Sequence, residues 1–339
     1  MRVCVPLPLA SKWARTSGEP LAAFDCPVSG AMVLDHYRAK ERLPVIKTCI
    51  QKFQSALSAA ERQVLQQCLQ QAVQVVPEDA VPWYLSDAQS PTGYFTPEHA
   101  DLILNWRQDW KRVPHGLVWD TPERSHASRS LALAALALAL RELGHITGWR
   151  NEKFSYWSDA DILSQGRCAE PAAALTSAFE MERAAFRFFG LRSHAVHVNG
   201  FTEEGFMWCG RRSQSKPTDP GMLDNIAAGG LPVRESLQSC VVREMAEEAG
   251  LSEGLALTAV ANGQVTTCRA VARGWHHEVL WVYNLRIPAD AQPLNQDGEV
   301  AEFSLLSPTQ VVEAIAAKSM TVDAACVISH AVLHPTVLA

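Results

Sequence analysis

Apolar residues in the first half of the chain recur at intervals of three and four, the spacing of one helix face. Between residues 42 and 75 this spacing is regular. A second helix is predicted to begin at Pro97, because Thr96 is a suitable N-cap and proline suits the first helical position. Two later helices each end at a glycine, as helices often do. The predicted helices of this half are 42–75, 97–110, 128–144 and 171–189.

After Gly190 the pattern changes to short apolar runs separated by turns, which is typical of β-strands. The run from Val279 to Tyr283 is apolar at successive positions, as expected of a strand buried on both faces. The runs lie at 195–201, 206–209, 255–261, 265–271 and 279–287, and the helices among and after them at 236–249, 308–317 and 322–334. Such mixing predicts an α/β sandwich with a mixed sheet.

A chain of 339 residues is long enough for more than one domain. We expect an extension at 1–40, a mainly helical α+β domain at 41–190 that contributes to the substrate pocket, and the sandwich at 191–339. In the extension, three basic residues precede the first acid, which is a feature of targeting segments. The lack of a continuous apolar core and of a clear cleavage site favours a poorly ordered extension instead.

The composition, 47% hydrophobic and 19% charged, is that of an ordinary globular protein. A net charge of −6 provides no overall attraction for nucleic acid or an anionic membrane, so neither is expected as a partner. Nine cysteines without a C-x-x-C pair argue against a disulfide framework and indicate a reducing, cytoplasmic compartment. The apolar run 131–140 is about half the roughly 20 residues of a membrane span, which predicts a buried helix.

The segment from Gly229 to Leu251 contains an unusual combination of glycines, glutamates and one arginine. It matches the pattern G-x5-E-x7-R-E-U-x-E-E-x-G-U without a departure, where U is a bulky aliphatic residue. The specified positions are Gly229, Glu235, Arg243, Glu244, Met245, Glu247, Glu248, Gly250 and Leu251. With average residue usage, a chance match in such a chain is on the order of one in ten million.

Glu244, Glu247 and Glu248 are three and four residues apart, so one helix face carries all three carboxylates. Crowded carboxylates repel one another, and hard divalent cations such as Mg²⁺ take oxygen ligands and pair with phosphates. We therefore predict metal ligands, with Glu247 or Glu248 near an attacking water. For an isolated E-x-x-E-E helix, a solvated acidic face is the commoner explanation. The six other matched positions favour the metal site.

The other motif residues are expected to support this site. Arg243 lies four residues before Glu247 and can hold that carboxylate during catalysis. Glu235 is expected to support the loop, Gly229 to permit a tight loop before the helix, and Gly250 to end the helix.

Several charged residues outside the motif are candidates for substrate binding or proton transfer. Arg211, Arg212 and Lys216 can bind phosphates, with surface solvation weighed equally for each. Glu299 is the first candidate for a general base and Glu302 the second.

A metal role for the sequence His276–His277–Glu278 is the less favoured alternative. The three residues begin a predicted strand, where adjacent side chains point to opposite faces. His276 and Glu278 are therefore the pair that can act together.

Residues 229–251 resemble the Nudix box, which implies an α/β/α Nudix fold and hydrolysis of a nucleoside-diphosphate-like linkage with Mg²⁺ or Mn²⁺. The wider likeness is to a subfamily that carries an extra N-terminal domain and is similar to the Nudix part of fungal thiamin pyrophosphokinase, with plant members close in pattern. It rests on residues 148–152, 182–185, 197–201, 211–216, 220–225 and 297–300. The resemblance implies a small-molecule diphosphate substrate: thiamin diphosphate, and preferentially its oxo and oxy forms, cleaved to the monophosphate.

Two other functions are weighed against this one. The first is the same chemistry on a nucleoside-diphosphate derivative such as ADP-ribose, NADH or a nucleotide sugar. The second is a ligand sensor with a Nudix fold and no catalysis, which is disfavoured because every glutamate of the box is present. A homodimer is an assembly that the sequence leaves open.

A thiazolium cation and a flat pyrimidine would suit an aromatic pocket. Aromatic residues of the first half could supply one, although each is more often part of a core. The candidates are Trp83, Tyr84, Trp106, Trp110, Trp119 and Trp149. Trp149 and Arg150 are preferred, because they lie in a family-like segment and ligand sites favour domain interfaces.

Overall fold

The computed structural model describes residues 43–72, 76, 78–158 and 177–335. The predicted extension at 1–40 lies outside these residues. Residues 39–339 belong to one compact unit.

Two helices form where the apolar periodicity predicts one. Helix α1 spans 43–55 and α2 spans Ala59–Ala72. The break has a local cause, because Ser58 and Glu61 form a reciprocal cap: Ser58 Oγ accepts from the Glu61 N–H, and a Glu61 carboxylate oxygen accepts from the Ser58 N–H. The edge of the Phe53 ring packs on Phe201, with centroids 5.8 Å apart. These helices therefore contact the C-terminal half directly.

A four-stranded sheet of order β2-β1-β4-β3 follows. Its elements are β1 Val81–Leu85, β2 Gly93–Phe95, α3 Pro97–Trp106, β3 Trp110–Val113, β4 Gly116–Trp119 and α4 His126–Glu142. Thr96 caps α3 as predicted, but the helix ends at Trp106, and Trp110 begins a strand. The rings of Trp83, Phe95 and Trp110 pack together at centroid distances of 5.2–5.9 Å. They form the centre of this core.

The prediction of one helix over 171–189 is wrong at 179–182. Strand β6 (Phe179–Glu182) pairs with β5 (Lys153–Tyr156), and Phe179 and Met181 point into the core. Two buried aromatic or apolar residues at alternate positions suit a strand. Helix α5 (Arg183–Phe189) then ends at Gly190, whose φ of +58° suits a left-handed cap.

A mixed seven-stranded sheet forms the C-terminal half, with β11-β12-β7-β8-β13 in order, β10 beside β7 and β9 beside β8. Its strands are β7 Arg192–Phe201, β8 Met207–Arg212, β9 Leu223–Asp224, β10 Ala227–Gly230, β11 Val260–Val271, β12 Gly274–Arg286 and β13 Val300–Leu306. The helices are α6 Leu237–Ala249, α7 Glu253–Ala256, α8 Pro308–Ala316 and α9 Val322–Leu333. The central strands β7 and β12 are parallel.

Helices cover both faces of this sheet. On one face, α6 packs on Val279 and Trp281; on the other, α9 packs on Leu280 and Val282. This alternation follows from the twofold repeat of a strand. The predicted α/β/α sandwich with a mixed sheet, preceded by an α+β region, is confirmed. The strand predicted at 255–261 is corrected, since Ser252 caps the short helix α7 and β11 begins at Val260.

No helix among the described residues is both long and apolar enough to span a membrane. The run predicted to form a buried helix lies in α4. It buries Leu133, Leu136 and Leu140, while Leu131 on the outer face is 75% exposed.

Candidate active site

A pocket of about 480 Å³ lies where the sheet, α6 and the region before β7 meet. Its wall includes β7 at Ser193 and Ala195, β10 at Ala228–Gly230, and the loop and helix at 148–152 and 183–187. Residues on both sides of position 190 therefore line it.

The three motif glutamates all line this pocket. Glu244 and Glu248 are buried, whereas the Glu247 side chain is 52% exposed. Ser236 caps the first turn of α6, and Gly250, at φ +63°, ends the helix in the left-handed conformation. Both caps fix the helix length and hence the direction of the carboxylates.

The buried carboxylates carry more negative charge than their surroundings balance. Burial, reinforced by Glu244, raises the pKa of Glu248 to about 8. Burial also raises the pKa of Glu244. The backbone N–H of Ala228 donates to Glu248 Oε2 at 2.9 Å, which holds that carboxylate in place. Clustered carboxylate oxygens of this kind fit a hard divalent cation.

Arg243 lies among four carboxylate contacts. Its Nε and Nη2 each donate to one oxygen of Glu235 at 2.8 Å, and Nη1 donates to Glu244 at 2.5 Å and to Glu247 at 3.1 Å. The hydrogen bonds to Glu235 raise the pKa of Arg243. Glu235 thus fixes the guanidinium, and the guanidinium fixes two of the motif glutamates.

Gly229 lies in strand β10, paired with Val196, rather than in a tight loop before the helix. A Cβ at this position would lie 1.7 Å from Glu244 Oε1. The glycine is needed for the close approach of a carboxylate and not for a turn.

Lys216 joins the motif to a residue far along the chain. Its Nζ lies 3.7 Å from Glu248 Oε1 and forms an ion pair with Glu299. Burial lowers the pKa of Lys216. The structure therefore brings both predicted residues, Lys216 and Glu299, to the pocket beside Glu248.

Three predicted substrate or catalytic residues are engaged in other contacts. Arg212 lines the pocket, but its guanidinium binds Asp224 at 2.8 Å and donates to the Thr218 carbonyl. Arg211 and Glu302 bind each other at 2.8 Å and are absent from the described wall of the pocket.

The predicted aromatic residues do not form the pocket wall in the described part of the chain. Trp83, Trp110 and Trp119 are buried in the N-terminal core, and Trp106 is 40% exposed. Tyr84 is likewise not among the lining residues of the described chain.

Of the two preferred residues of this region, only Arg150 lies on the described wall of the pocket. Trp149 packs under Arg141, whose guanidinium carbon lies 4.9 Å from the ring centroid, and donates to Asn151.

Several residues of the pocket wall are not predicted from the sequence. They are Phe154, Arg183, Phe186, Arg187, Arg273, Trp275 and Asp323. Arg183 lies in a segment that resembles the subfamily, so a signal existed for it. Arg273 lies in a hairpin turn, where a charged residue is ordinarily solvated.

His276, Glu278 and Asp323 form a polar cluster in the wall, with ligand-type atoms within 4.8 Å of one another. His276 Nε2 lies 3.1 Å from Asp323 and 3.4 Å from Glu278. Arg269 binds Asp323 with both terminal nitrogens, at 2.7 and 2.9 Å. Since an arginine already matches this carboxylate, the cluster favours a structural network over a second metal site.

Replacing Asp323 with asparagine is expected to lower the free energy of unfolding by about 3–5 kcal/mol, because Arg269 would lose its partner in a buried site. Burial acts to raise the pKa of Asp323, but His276 and Arg269 hold it well below the ordinary 3.8. The stabilisation is therefore full above about pH 4 and is lost as the pH falls through the lower folded value. Urea denaturation at pH 7 and at lower pH measures both effects.

The matched control is Asp101→Asn, at a carboxylate with a side chain 68% exposed that binds Arg112. It is expected to change stability by less than about 1 kcal/mol. Equal effects of the two substitutions would contradict the importance assigned to the Asp323 network.

Comparison with known proteins agrees with this geometry. The NUDIX domain model matches residues 191–328. The chain is 36% identical over 224 residues to Nudix hydrolase 24, chloroplastic, of Arabidopsis thaliana, a match that covers 65% of this chain and 57% of the relative. It is 37% identical over 190 residues to Nudix hydrolase 20, chloroplastic, of the same plant, covering 55% and 47%. The chain thus spans about half the length of these curated relatives.

Among solved structures, DR0079 from Deinococcus radiodurans is 20% identical and covers 49% of this chain and 90% of its own, with a TM-score of 0.36.

The prediction of a cytoplasmic compartment is contradicted, because both plant relatives are described as chloroplastic. The cysteine pattern argues against a disulfide framework but does not distinguish one reducing compartment from another. The glutamates, Arg243, Lys216 and Glu299 all fall within residues 191–328, the part of this chain that matches the NUDIX domain model.

Proposed function

We propose that this protein hydrolyses a diphosphate linkage with Mg²⁺, or Mn²⁺ in its place, held by Glu244, Glu247 and Glu248. The observation that carries the proposal is the pair of buried carboxylates, Glu244 and Glu248, whose pKa values are both raised at the wall of an open pocket. A binding module without catalysis has no need to keep such charges buried together.

The donor set and its surroundings suit this chemistry. A bound divalent cation neutralises phosphate oxygens and lowers the pKa of a water molecule. Gly229 leaves room for Glu244, since any Cβ there would overlap the carboxylate. Arg243 orients Glu244 and Glu247, so these two carboxylates are held before a ligand arrives.

We assign substrate binding and proton transfer to residues next to the glutamates. Lys216 Nζ, between Glu248 and Glu299, is placed to contact a phosphate oxygen. Glu299 lines the same pocket in a loop, and its carboxylate is the proton acceptor that we propose for the attacking water. Both side chains lie close enough to act on one substrate.

As substrate we propose thiamin diphosphate or its oxo and oxy analogues, cleaved to the monophosphate and phosphate. This proposal is supported by several segments that lie far apart in the sequence and line the same pocket. Each of these segments resembles the thiamin-related subfamily. The lining residues from these segments are Gly148, Arg150, Glu152, Arg183, Ala184, His197, Arg212, Lys216, Asp224, Asp297 and Glu299. Phe154, Phe186 and Trp275 provide flat apolar surface for a heterocycle.

The test is phosphate release from a panel of diphosphates with Mg²⁺: thiamin diphosphate, its oxo and oxy analogues, ADP-ribose and NADH. Added phosphatase reveals monophosphates from the nucleotide substrates. We expect kcat/KM for the best thiamin compound to exceed that for either nucleotide by about a hundredfold, as a pocket shaped for one heterocycle allows. A chelator should abolish turnover, and added Mg²⁺ should restore it.

The outcomes separate the parts of the proposal. Turnover of the nucleotides alone would leave diphosphate hydrolysis in place and discard the thiamin substrate. No turnover of any compound with Mg²⁺ or Mn²⁺ would contradict the hydrolase itself.

A further inference from the structure

The cationic side chains on the pocket wall differ in their partners, and one of them, Arg183, pairs with Glu152. The cations near the glutamates each have a carboxylate within ion-pair distance: Lys216 with Glu299, Arg212 with Asp224, and Arg243 with Glu235. A second group, here called the arginine group, consists of Arg150, Arg187 and Arg273. Within the described parts of the chain, none of these three forms an ion pair.

Arg187 and Arg273 are half-buried, so water does not fully replace the missing partners. Arg187 has no side-chain hydrogen bond to any described residue. Arg273 has one, to the Thr147 carbonyl at 3.4 Å, in the same part of the chain. Half-buried donors without acceptors are unfavourable unless a ligand supplies the acceptors.

The arginine group is also electrostatically crowded. Burial lowers the pKa of Arg273, and Arg150 and Arg183 lower it further. Burial likewise lowers the pKa of Arg187, with Arg273 adding to the effect and Glu278 opposing it. Arg150, Arg183, Arg187 and Arg273 therefore lie close enough to one another for their positive charges to repel.

Backbone contacts position the segments that carry Arg150 and Arg187, and a glycine leaves room for Arg273. Gly148 has a φ of +74°, and a Cβ there would lie 2.5 Å from Arg273 Nη1. The buried carboxylate of Glu182 accepts the backbone N–H of Arg150 at 2.9 Å and also contacts the Ala184 N–H at the start of α5. The loop that carries Arg150 and the helix that carries Arg187 are therefore tied to one carboxylate.

We propose that Arg187 and Arg273, with Arg150 at the rim, bind a hydrogen-bond-accepting oxygen on the organic part of the diphosphate substrate. The oxygen belongs to a carbonyl or to a further anionic group. Guanidinium groups suit both, because they present several donors in one plane. The inference rests on the proposed hydrolysis of a diphosphate. It assigns to these arginines the choice among substrates rather than the reaction.

The experiment compares two substrate pairs that differ in such an oxygen. In the first pair, oxothiamin diphosphate carries a carbonyl on the ring that is a cation in thiamin diphosphate. In the second pair, 2′-phospho-ADP-ribose carries an anionic phosphate group that ADP-ribose lacks. Methyl diphosphate, without a heterocycle, reports on the reaction alone. The variants are Arg187→Gln and Arg273→Gln, and the control is Arg112→Gln, at a side chain 60% exposed.

For the pair that the wild-type protein discriminates, each pocket variant is expected to lower kcat/KM of the oxygen-bearing member by about tenfold to a hundredfold, as for one lost charged hydrogen bond. The other member and methyl diphosphate should change by less than about threefold, since they lack that acceptor. The carbonyl pair and the anion pair identify which kind of oxygen is bound. Arg273→Gln provides the test if Arg187→Gln fails to fold.

An equal loss on all substrates, methyl diphosphate included, would overturn the inference, because the arginines would then act on the diphosphate or on the fold. The inference would also be overturned if the ratio of kcat/KM between the two members of each pair were the same in both variants as in the wild-type protein. If the wild-type protein cleaves no thiamin compound, but the variants show the expected loss of kcat/KM on 2′-phospho-ADP-ribose, the proposed substrate is rejected and the arginine assignment stands. If the wild-type protein cleaves nothing, titration calorimetry with the same pairs decides, and equal binding to wild type and variants rejects the assignment.

Discussion

Replacing Glu248 with glutamine is expected to lower kcat by about a thousandfold, which corresponds to about 4 kcal/mol of lost transition-state stabilisation. The substitution keeps the size of the side chain and removes the charge that a divalent cation requires. The Ala228 N–H can still donate to the amide oxygen, so the local structure is preserved. Initial rates with saturating substrate and Mg²⁺ measure the effect.

Thermal unfolding without metal is the companion measurement. The melting temperature is expected to stay the same or rise, because burial and Glu244 oppose ionisation of the Glu248 carboxyl and the neutral amide removes that unfavourable contribution. Glu313→Gln, on an exposed position of α8, serves as control and should retain wild-type activity. If Glu248→Gln kept more than a tenth of the wild-type kcat, the assignment of Glu248 as a metal ligand would be wrong.

The substitution Gly229→Ala is expected to reduce activity by about a hundredfold and the free energy of unfolding by about 1–3 kcal/mol. The added methyl group would overlap the Glu244 carboxylate, which Arg243 holds from the other side. The carboxylate must therefore move, and it cannot do so without losing its hydrogen bond. Activity and urea denaturation are measured on the same preparation.

Gly254→Ala is the matched control, because a Cβ at this glycine in α7 meets nothing within 4 Å. It is expected to leave activity unchanged and to change stability by no more than about 1 kcal/mol, in the stabilising direction. Comparable losses in both variants would show that the close approach of Gly229 to Glu244 is unimportant.

The parts of the fold that could be predicted are those with a local cause. Helix α6 is predicted at 236–249 with Gly250 at its end, and the shared face of the glutamates follows from their spacing on it. The strands of the C-terminal sheet are five residues or longer in most cases and carry apolar runs. By contrast, β2, β3 and β4 have three or four residues each and give no period to detect.

The features that are not predicted from the sequence depend on tertiary contacts. The stretch 179–182 would suit a helix by its flanking residues, but pairing with β5 makes it a strand. Arg187 and Arg273 lie far apart in sequence and share a wall because α5 packs on β12. Trp149 is predicted to contact the ligand because it lies in a family-like segment of the sequence. Its ring instead packs against the guanidinium group of Arg141 on the preceding helix.

The parallel pairing of β7 with β12 also bears on how the chain folds during synthesis. Ser193 on β7 bonds to Glu278 on β12, 85 residues later, so β7 leaves the ribosome well before its central partner exists. At ordinary translation rates this interval is roughly 4–17 s. The four-stranded sheet and α4, built from contacts close in sequence, can form within it. Strand β7 can pair with β8 and β10 in the same interval, but the edge that pairs with β12 stays open. Until β12 appears, the nascent chain therefore presents an apolar strand edge that is open to aggregation, and a chaperone that covers this edge would protect it.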